Sequence, residues 1–396
     1  MDFLVNLAVL LAIIVPLVLA HEVGHFLMAR RAGVTVHEFG IGFPPRALVL
    51  RRGKETTYSL NWLPIGGFVR LEGEEGESLD PRAFVNQGLA TRLRILAAGV
   101  IVNFALAWLI FTLIALFAQP LWEIRVNEVM PDSPAQRAGL VASRVVGQTE
   151  PIELLDQEGQ PTGETRRFPI HDDSGDLIVA IDGRQFPIFD DVAGAASRGA
   201  RSGPVQYLAD RPGQTVVLTV EHADGSREDI EVTLRTAAEV AAGQGALGFL
   251  PGAEYGERQN GLIEASAIGL QRTVEASTLI LRGVAELIGA LLQGPGAELP
   301  VAGPLGIADL VGGVRETAPP VVLLWLVGLL SANLAVINAL PFPPMDGGRM
   351  AMALIQAVSR NRVSPAAERM VYLTGFVMLM TLLVVVTMAD IGRLDA

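Results

Sequence analysis

Four long apolar stretches dominate the pattern of hydrophobic and polar positions along the chain. They cover about residues 3–30, 93–118, 320–340 and 370–389. A helix that crosses a bilayer needs about 20 predominantly apolar residues, and each stretch reaches that length. The pattern therefore predicts a polytopic α-helical membrane protein with four transmembrane helices.

A fifth apolar stretch, residues 261–293, differs from these four because charged side chains interrupt it. An apolar face opposite a charged face is typical of a helix that lies along a membrane surface. We therefore expect an amphipathic helix on or near the membrane. The interrupting charges are Glu264, Arg272, Glu275, Arg282 and Glu286.

Short segments of β-type sequence follow the first apolar stretch. They are residues 34–36, 47–50, 56–60 and 68–71, and glycines and prolines separate them. The pattern predicts a small membrane-associated β-sheet within residues 34–72, and the edge of such a sheet can pair with an extended peptide. A solvated loop is the alternative interpretation.

Residues 121–255, between the second and third apolar stretches, have the pattern of a separate α+β domain. Ser133 begins a short capped helix that ends near Gly139. The alternating sequence on both sides of Asp224 and Gly225 predicts a β-hairpin. Its strands would be residues 215–220 and 229–234, and residues 177–181 predict a further strand.

Two polar segments carry turn-forming residues and little periodicity. Residues 141–174 contain several prolines and glycines, and we predict an inserted loop there. Residues 294–318 are also rich in glycine and proline, which predicts a surface linker just before the third apolar stretch or a segment that shapes the membrane entrance.

Composition agrees with a membrane protein and narrows the chemistry. Half of the 396 residues are hydrophobic, and the net charge of −12 argues against a nucleic-acid partner. The chain has no cysteine. Disulfides and thiolate metal sites are therefore excluded, so any zinc must be held by histidine and carboxylate side chains.

The distribution of basic residues predicts the orientation in the membrane. Lysine and arginine are concentrated between the first and second apolar stretches and between the third and fourth. Such loops are typically cytoplasmic, which places the net-acidic segment between the second and third stretches, and both termini, outside. The first stretch has no basic region before it and runs directly into His21, so we expect a retained helix, not a cleaved signal peptide.

The first apolar stretch contains the sequence His21-Glu22-Val23-Gly24-His25. Residues four apart lie on one face of a helix, so the two imidazoles point the same way and can hold one zinc ion. Glu22 lies beside them and can take a proton from a zinc-bound water. Ionisable groups at membrane depth are costly, and they indicate function by default.

Asp346 is the candidate for a third zinc ligand. Three prolines precede it at the end of the third apolar stretch, and two glycines follow it. We expect the prolines to end the helix and the glycines to allow a tight turn, so that Asp346 lies on irregular backbone at membrane depth. A carboxylate there needs a cation, although an Asp that caps the following helix is the alternative.

These motifs match those of a known family. His21-Glu22-Val23-Gly24-His25 has the form H-E-x-G-H, and residues 338–348 have the form N-x-x-P-x-P-x-x-D-G-G. Residues 63–69 and 303–307 match a membrane-associated β-loop and a segment before the third helix. Over nearly its whole length the chain resembles the site-2 protease family of intramembrane zinc metalloproteases, and above all its bacterial regulator-of-sigma-E-protease branch.

The resemblance implies a zinc endopeptidase and assigns roles to individual residues. His21, His25 and Asp346 would hold Zn²⁺, and Glu22 would be the general base. Asn338, and less firmly Asn103, would bind the locally unwound backbone of the substrate, since an amide offers both a donor and an acceptor. For each asparagine the alternative is a structural hydrogen bond between helices.

The resemblance also divides the chain into domains. Residues 1–120 and 319–396 would form the two halves of the protease core. Residues 121–255 would be one extracytoplasmic, circularly permuted PDZ-like domain with an insertion at 141–174, in which residues 247–249 fit a carboxylate-binding loop or a plain strand. Residues 256–318 would hold the amphipathic helix and the linker. One departure from the family is Val100, where relatives usually have proline.

Substrates of the family are single-pass membrane proteins, such as anti-sigma factors and remnant signal peptides, that a site-1 protease has already trimmed. The resemblance therefore implies regulated intramembrane proteolysis in a bacterial inner membrane, with the active site near the cytoplasmic side. Two alternatives remain. A non-catalytic PDZ membrane adaptor would not need Glu22, and a metal-ion transporter would predict inverted repeats, which the sequence does not show.

Overall fold

The structure is a computed structural model, and it divides into two compact units. One unit comprises Met1–Leu116 and Asn260–Ala396, and the other comprises Phe117–Gln259. The structure describes residues 2–74, 78–155, 161–187, 203–241, 245–294, 301–317, 319–359 and 364–394.

The described helices and strands alternate irregularly along the chain. The helices are α1 (Asp2–Arg31), α2 (Leu89–Phe117), α3 (Pro134–Arg137), α4 (Pro204–Ala209), α5 (Ala237–Ala241), α6 (Leu262–Gln293), α7 (Pro304–Thr317), α8 (Pro320–Ala339), α9 (Asp346–Val358) and α10 (Pro365–Leu394). The strands are β1 (Val36–Arg52), β2 (Thr57–Leu71), β3 (Gln119–Val129), β4 (Val145–Gln148), β5 (Ile152–Leu155), β6 (Pro161–Arg166), β7 (Pro169–His171), β8 (Leu177–Ile181), β9 (Phe186–Pro187), β10 (Thr215–Glu221), β11 (Arg227–Thr233) and β12 (Phe249–Arg258).

Among the described residues, four helices are long and apolar enough to cross a membrane, as the sequence predicts. They cover Leu4–Arg31, Leu89–Phe117, Pro320–Ala339 and Ala366–Gly392. The charged stretch at 261–293 also forms one continuous helix, α6, which is not among these four candidates. The chain is thus a multi-pass membrane protein with additional β-sheet.

The prediction of a linker at 294–318 is wrong over most of its length, because residues 304–317 form α7. Two of its side chains, Ala308 and Val311, are fully buried in an apolar cluster with Leu10 of α1 and Leu326 of α8. Glycine and proline suggested irregular backbone, but the helix gains its stability from this packing across the chain. Such long-range contacts are not visible in local sequence.

Three of the four short strands predicted in residues 34–72 are confirmed within the two long strands β1 and β2, whereas residues 34 and 35 of the first precede β1. Residues 38–41 of β1 pair with 57–60 on one side and with 67–70 on the other. Residues 46–52 of β1 pair with 57–61. β1 and β2 therefore fold into one small sheet, in which residues 67–71 form one edge.

A buried carboxylate ties this sheet together. Glu38 accepts hydrogen bonds from Ser59 (2.7 Å) and from Arg46 (2.7 Å), and Arg70 lies 3.4 Å away. Burial acts to raise the pKa of Glu38, but the bonds from Ser59 and Arg46 outweigh it and hold the pKa below its usual value. The side chain therefore stays ionised, and its hydrogen bonds join residues of β1 to a residue of β2.

The second unit is built on one antiparallel sheet. Its strand order is β11-β10-β8-β3-β12, with β9 also paired to β3. The hairpin predicted around Asp224 and Gly225 is confirmed as β10 and β11. Val126, Val216 and Leu218 lie at the centre of its apolar core, and Ser133 caps the short helix α3 as predicted.

The prediction of an inserted loop at 141–174 is wrong in part. Within it, β4 pairs with β7 and β5 pairs with β6, all antiparallel. Prolines and glycines favour irregular structure, yet Pro161 and Pro169 stand at the first positions of β6 and β7, where a strand tolerates proline. The insertion is therefore a small β-ribbon in the residues that the structure describes.

Candidate metal centre

Three side chains from distant parts of the sequence meet at one point. His21 Nε2 lies 2.9 Å from Asp346 Oδ2, and His25 Nε2 lies 3.1 Å from the same oxygen. The two Nε2 atoms are 3.0 Å apart. These three are the one group of histidine and acidic side chains, among the residues described, that could hold a metal ion.

The hydrogen-bond partner of His25 leaves its other ring nitrogen facing the cluster. His25 Nδ1 lies 2.8 Å from the carbonyl oxygen of Ile95, which can only accept. A neutral imidazole then carries its hydrogen on Nδ1 and presents a bare Nε2 to the carboxylate of Asp346. Two acceptors at this distance repel each other unless a proton or a metal cation lies between them, so the arrangement suits a metal ion.

The donor set and its spacing fit zinc. Two imidazoles and one carboxylate are a common set of three protein ligands in catalytic zinc sites, which keep the fourth position for water or substrate. Ligand atoms at bond lengths of about 2.0–2.2 Å around a tetrahedral ion stand roughly 3.3 Å apart, close to the distances between the three atoms here. His21 and His25 are 6 % and 9 % exposed, so bulk water does not compete for them.

Two glycines allow α1 and α2 to approach closely behind the histidines. A Cβ at Gly24 would lie 2.6 Å from the carbonyl oxygen of Ala98. A Cβ at Gly99 would lie 2.5 Å from His25 Nε2 and 2.7 Å from His21 Nε2. The close contact of the two helices therefore places α2 directly against the metal-binding side chains.

The local backbone at Asp346 differs from the expected tight turn. Asp346 is the first residue of α9, and Gly347 and Gly348 are helical. A Cβ at Gly347 would overlap the carbonyl oxygen of Leu340, and one at Gly348 would lie 2.7 Å from that of Phe342. The glycines therefore let the helix start pack against the preceding backbone, which brings the Asp346 carboxylate to the histidines.

A cavity of about 440 Å³ opens onto the three ligands. Glu22 and Asn338 line it together with His21, His25 and Asp346. Gly67, Phe68 and Val69, on the edge of the small sheet, form part of its wall.

The two asparagines occupy different places. Asn338 Nδ2 donates to the carbonyl oxygen of Leu334 in its own helix (3.0 Å), and no described residue donates to its Oδ1. Asn103 is 0 % exposed, with Nδ2 3.4 Å from His21 Nδ1. It is not among the residues that line the cavity.

One ion pair at the cavity is not visible in the sequence. Arg349, one turn after Asp346 on α9, binds the carboxylate of Glu74, and both line the cavity. Glu74 also accepts from the backbone NH of Leu71 at the end of β2. The acidic run around Glu74 has the composition of a solvated turn, so only the fold shows this contact.

The sequence of the chain is similar to those of known metalloproteases over most of its length. Residues 9–382 match the profile described as peptidase family M50. A candidate zinc metalloprotease of Clostridium perfringens is 31 % identical over 375 residues, which is 95 % of each chain. The zinc metalloprotease RasP of Oceanobacillus iheyensis is 25 % identical over 465 aligned positions, covering 96 % of each chain. RasP of Geobacillus kaustophilus is 24 % identical and covers 95 % of each chain.

Proposed function

Because the chain belongs to peptidase family M50, the site-2 protease family, and is a zinc metalloprotease, we propose that it is an intramembrane endopeptidase that cuts the transmembrane segments of single-pass membrane proteins. One observation carries the proposal. His21, Glu22, His25 and Asp346 line one cavity, and the first three of them lie on a helix long and apolar enough to cross the membrane.

The chain's own residues divide the chemistry between them. His21, His25 and Asp346 would hold zinc, which when bound polarises the scissile carbonyl and lowers the pKa of a water toward neutrality. Glu22 takes the proton from the attacking water and passes it to the leaving amine. The low exposure of both histidines limits access of bulk water to this step.

A transmembrane helix hides its peptide bonds in its own hydrogen bonds, so the substrate must unwind locally before cleavage. Residues 67–71 offer a sheet edge beside the cavity, on which an extended peptide could add as a further strand. The side chain of Asn338 offers an amide in the same cavity. We assign the strand edge and Asn338 to substrate binding.

The outer part of the small sheet would lie in the membrane boundary. Phe43, Leu48 and Trp62 are 46 %, 56 % and 71 % exposed. Exposed apolar side chains beside basic ones are typical of a surface that dips into lipid headgroups. Arg46, Arg51, Arg52 and Lys54 supply the positive charge in the same hairpin.

The unit Phe117–Gln259 would be the extracytoplasmic PDZ-like domain that controls access of substrates. Its strand β12 stands at the end of the sheet order, next to β3 alone among the described strands. Such an edge can receive the new C-terminus of a trimmed substrate, or the domain can exclude bulky substrates by size. Deleting residues 125–250 distinguishes a size filter from a docking site. Loss of a filter allows cleavage of untrimmed substrate. Loss of a docking site slows cleavage of trimmed substrate.

The location follows from the charge pattern and the family. We propose a bacterial inner-membrane protein whose metal centre lies near the cytoplasmic side, because the basic loops flank it in sequence. Its substrates would be anti-sigma factors or remnant signal peptides, already cut by a site-1 protease. The process would be regulated intramembrane proteolysis.

Reconstituted protein tests this function directly. The purified chain in liposomes is mixed with a single-pass protein whose external part has been trimmed, and products are mapped by mass spectrometry. We expect one cut within the apolar segment, loss of cutting with a zinc chelator and recovery with added zinc. Zinc-dependent binding without a cut would favour an adaptor, and zinc flux into the liposomes would favour a transporter.

A further inference from the structure

One face of α2 acts as a support for both histidines, and we propose that Asn103 on this face is the positioning residue that orients His21 for metal binding. The inference rests on the proposed zinc site. It gives Asn103 a different role from the substrate contact that the family resemblance implies.

The spacing on the two helices is matched. Ile95, Gly99 and Asn103 are each four residues apart, so they form a stripe along one face of α2. His21 and His25 are four residues apart on α1. The stripe meets them in antiparallel order, with Ile95 at His25, Asn103 at His21 and Gly99 between them.

In each histidine, the ring nitrogen Nδ1 lies against a polar atom of this stripe. His25 Nδ1 donates to the carbonyl oxygen of Ile95 at 2.8 Å, which leaves Nε2 free to bind a metal. His21 Nδ1 faces the amide of Asn103 at 3.4 Å. For His21 Nε2 to bind a metal, Nδ1 must carry the hydrogen and needs an acceptor.

Asn103 has an acceptor that no other described group uses. Its Oδ1 is buried and has no hydrogen-bond partner, which is costly for a side chain that is 0 % exposed. Rotating the amide by 180° exchanges Oδ1 and Nδ2 without changing its shape. Oδ1 then faces the Nδ1–H of His21 and accepts its hydrogen, while Nδ2 takes the buried place that Oδ1 held.

The position of Asn103 argues against contact with substrate. The side chain is enclosed behind His21 and is not part of the cavity wall. Its backbone carbonyl accepts a hydrogen bond from Ser331 on α8 at 2.8 Å, which fixes this turn of α2. A substrate in the cavity meets His21 before it can meet Asn103.

Three variants of the full-length protein test the assignment. Asn103→Leu keeps the approximate volume and removes the acceptor, Asn103→Asp keeps an acceptor, and Ile110→Ala makes a packing defect two turns along α2. Zinc affinity is measured by competition with chelators of graded strength. The visible absorption spectrum of the cobalt(II)-substituted protein reports ligand geometry, and thermal unfolding of the metal-free chain reports the fold.

We expect Asn103→Leu to weaken zinc binding about 10- to 100-fold, the usual effect of removing the partner of a metal-bound histidine, and to change the cobalt spectrum. Asn103→Asp should stay within about threefold of the original affinity, on the same basis. Ile110→Ala should lower thermal stability without changing either metal readout.

Unchanged zinc affinity and an unchanged cobalt spectrum in Asn103→Leu would overturn the assignment. If cleavage were slower in that variant while both metal readouts stayed unchanged, Asn103 would have a role in substrate binding instead. If Asn103→Leu does not fold, Asn103→Asp decides, and a tenfold loss of affinity there overturns the proposal. His21→Ala, measured in parallel, distinguishes failure of the role proposed for Asn103 from failure of the zinc site itself. If His21→Ala keeps its zinc, the metal centre itself is wrong.

Discussion

His21 Nε2 and Asp346 Oδ2 lie 2.9 Å apart although 325 positions separate them in the sequence. His21 belongs to the first long apolar helix, and Asp346 begins the short helix after the third. Each would be a costly polar group in an apolar setting by itself. They meet together with His25, and the three side chains form a group that could hold one metal ion.

Replacing Glu22 by Gln should abolish proteolysis and leave the metal in place. Gln has nearly the same shape but cannot accept a proton, so the attacking water stays protonated. The rate should fall by about 100-fold or more, the range in which a general base contributes. Zinc content by mass spectrometry, measured beside cleavage of a trimmed substrate, checks both parts of the expectation.

Proteolysis at the original rate in purified Glu22→Gln would remove Glu22 from the mechanism. Loss of zinc together with activity would instead make Glu22 part of the metal site. Asp346→Asn serves as the reference for that second outcome, since it alters a ligand directly and should lower zinc content.

Gly99→Ala should lose zinc although it adds a single methyl group. Its Cβ would lie 2.5 Å from His25 Nε2 and 2.7 Å from His21 Nε2, closer than atoms in contact can lie. Gly283→Ala is the matched control, because it also lies within a long helix but meets nothing within 4 Å. Equal zinc content in the two variants would show that α2 does not press against the ligands as described.

Asn338→Ala should weaken substrate binding and leave the metal untouched. The side chain lines the cavity, and its one hydrogen bond within the described residues goes to Leu334 of its own helix. We expect a higher KM with little change in zinc affinity. A lower zinc affinity in Asn338→Ala, with KM unchanged, would move Asn338 from the substrate to the metal site.

The second unit should lose stability as the pH rises, because of His222. Its Nδ1 lies 2.8 Å from the buried Asp176, and this hydrogen bond raises the pKa of His222 above its usual value. The stabilisation is fully present below about pH 6.5, the unfolded value, and is lost as the pH passes through the raised folded pKa. Thermal unfolding from pH 5.5 to 9 should show this decline.

His222→Gln should make the unfolding midpoint of the second unit less dependent on pH over that interval. It should also lower the midpoint at pH 5.5 more than at pH 9, because only the protonated imidazole forms the ion pair with Asp176. Identical slopes in the variant and the original chain would assign the pH dependence to other groups.

The meeting of His21, His25 and Asp346 could be predicted from sequence because each residue carries its own physical signal. His21 and His25 share a helix face by their spacing, and a carboxylate at Asp346 after three prolines needed a cation. The prediction that the two glycines after Asp346 form a tight turn is wrong, since both are helical. Their role depends on the backbone of Leu340 and Phe342, whose distance from them only the fold defines.

The parts that sequence did not predict depend on contacts between distant residues. The start of α7 is held by Asp390, whose carboxylate accepts from the backbone NH groups of Gly303 (3.1 Å) and Gly306 (2.9 Å). Nothing near residue 303 indicates that partner. The contact of Asn103 with His21 likewise required the register of α2 against α1.

Anomalous X-ray diffraction at the zinc edge, on crystals of the purified full-length protein, tests the central claim most directly. We predict one strong peak about 2.0–2.2 Å from His21 Nε2, His25 Nε2 and an oxygen of Asp346. A peak elsewhere in the chain, or a zinc ion bound by the two histidines with the Asp346 carboxylate turned away, would contradict the account.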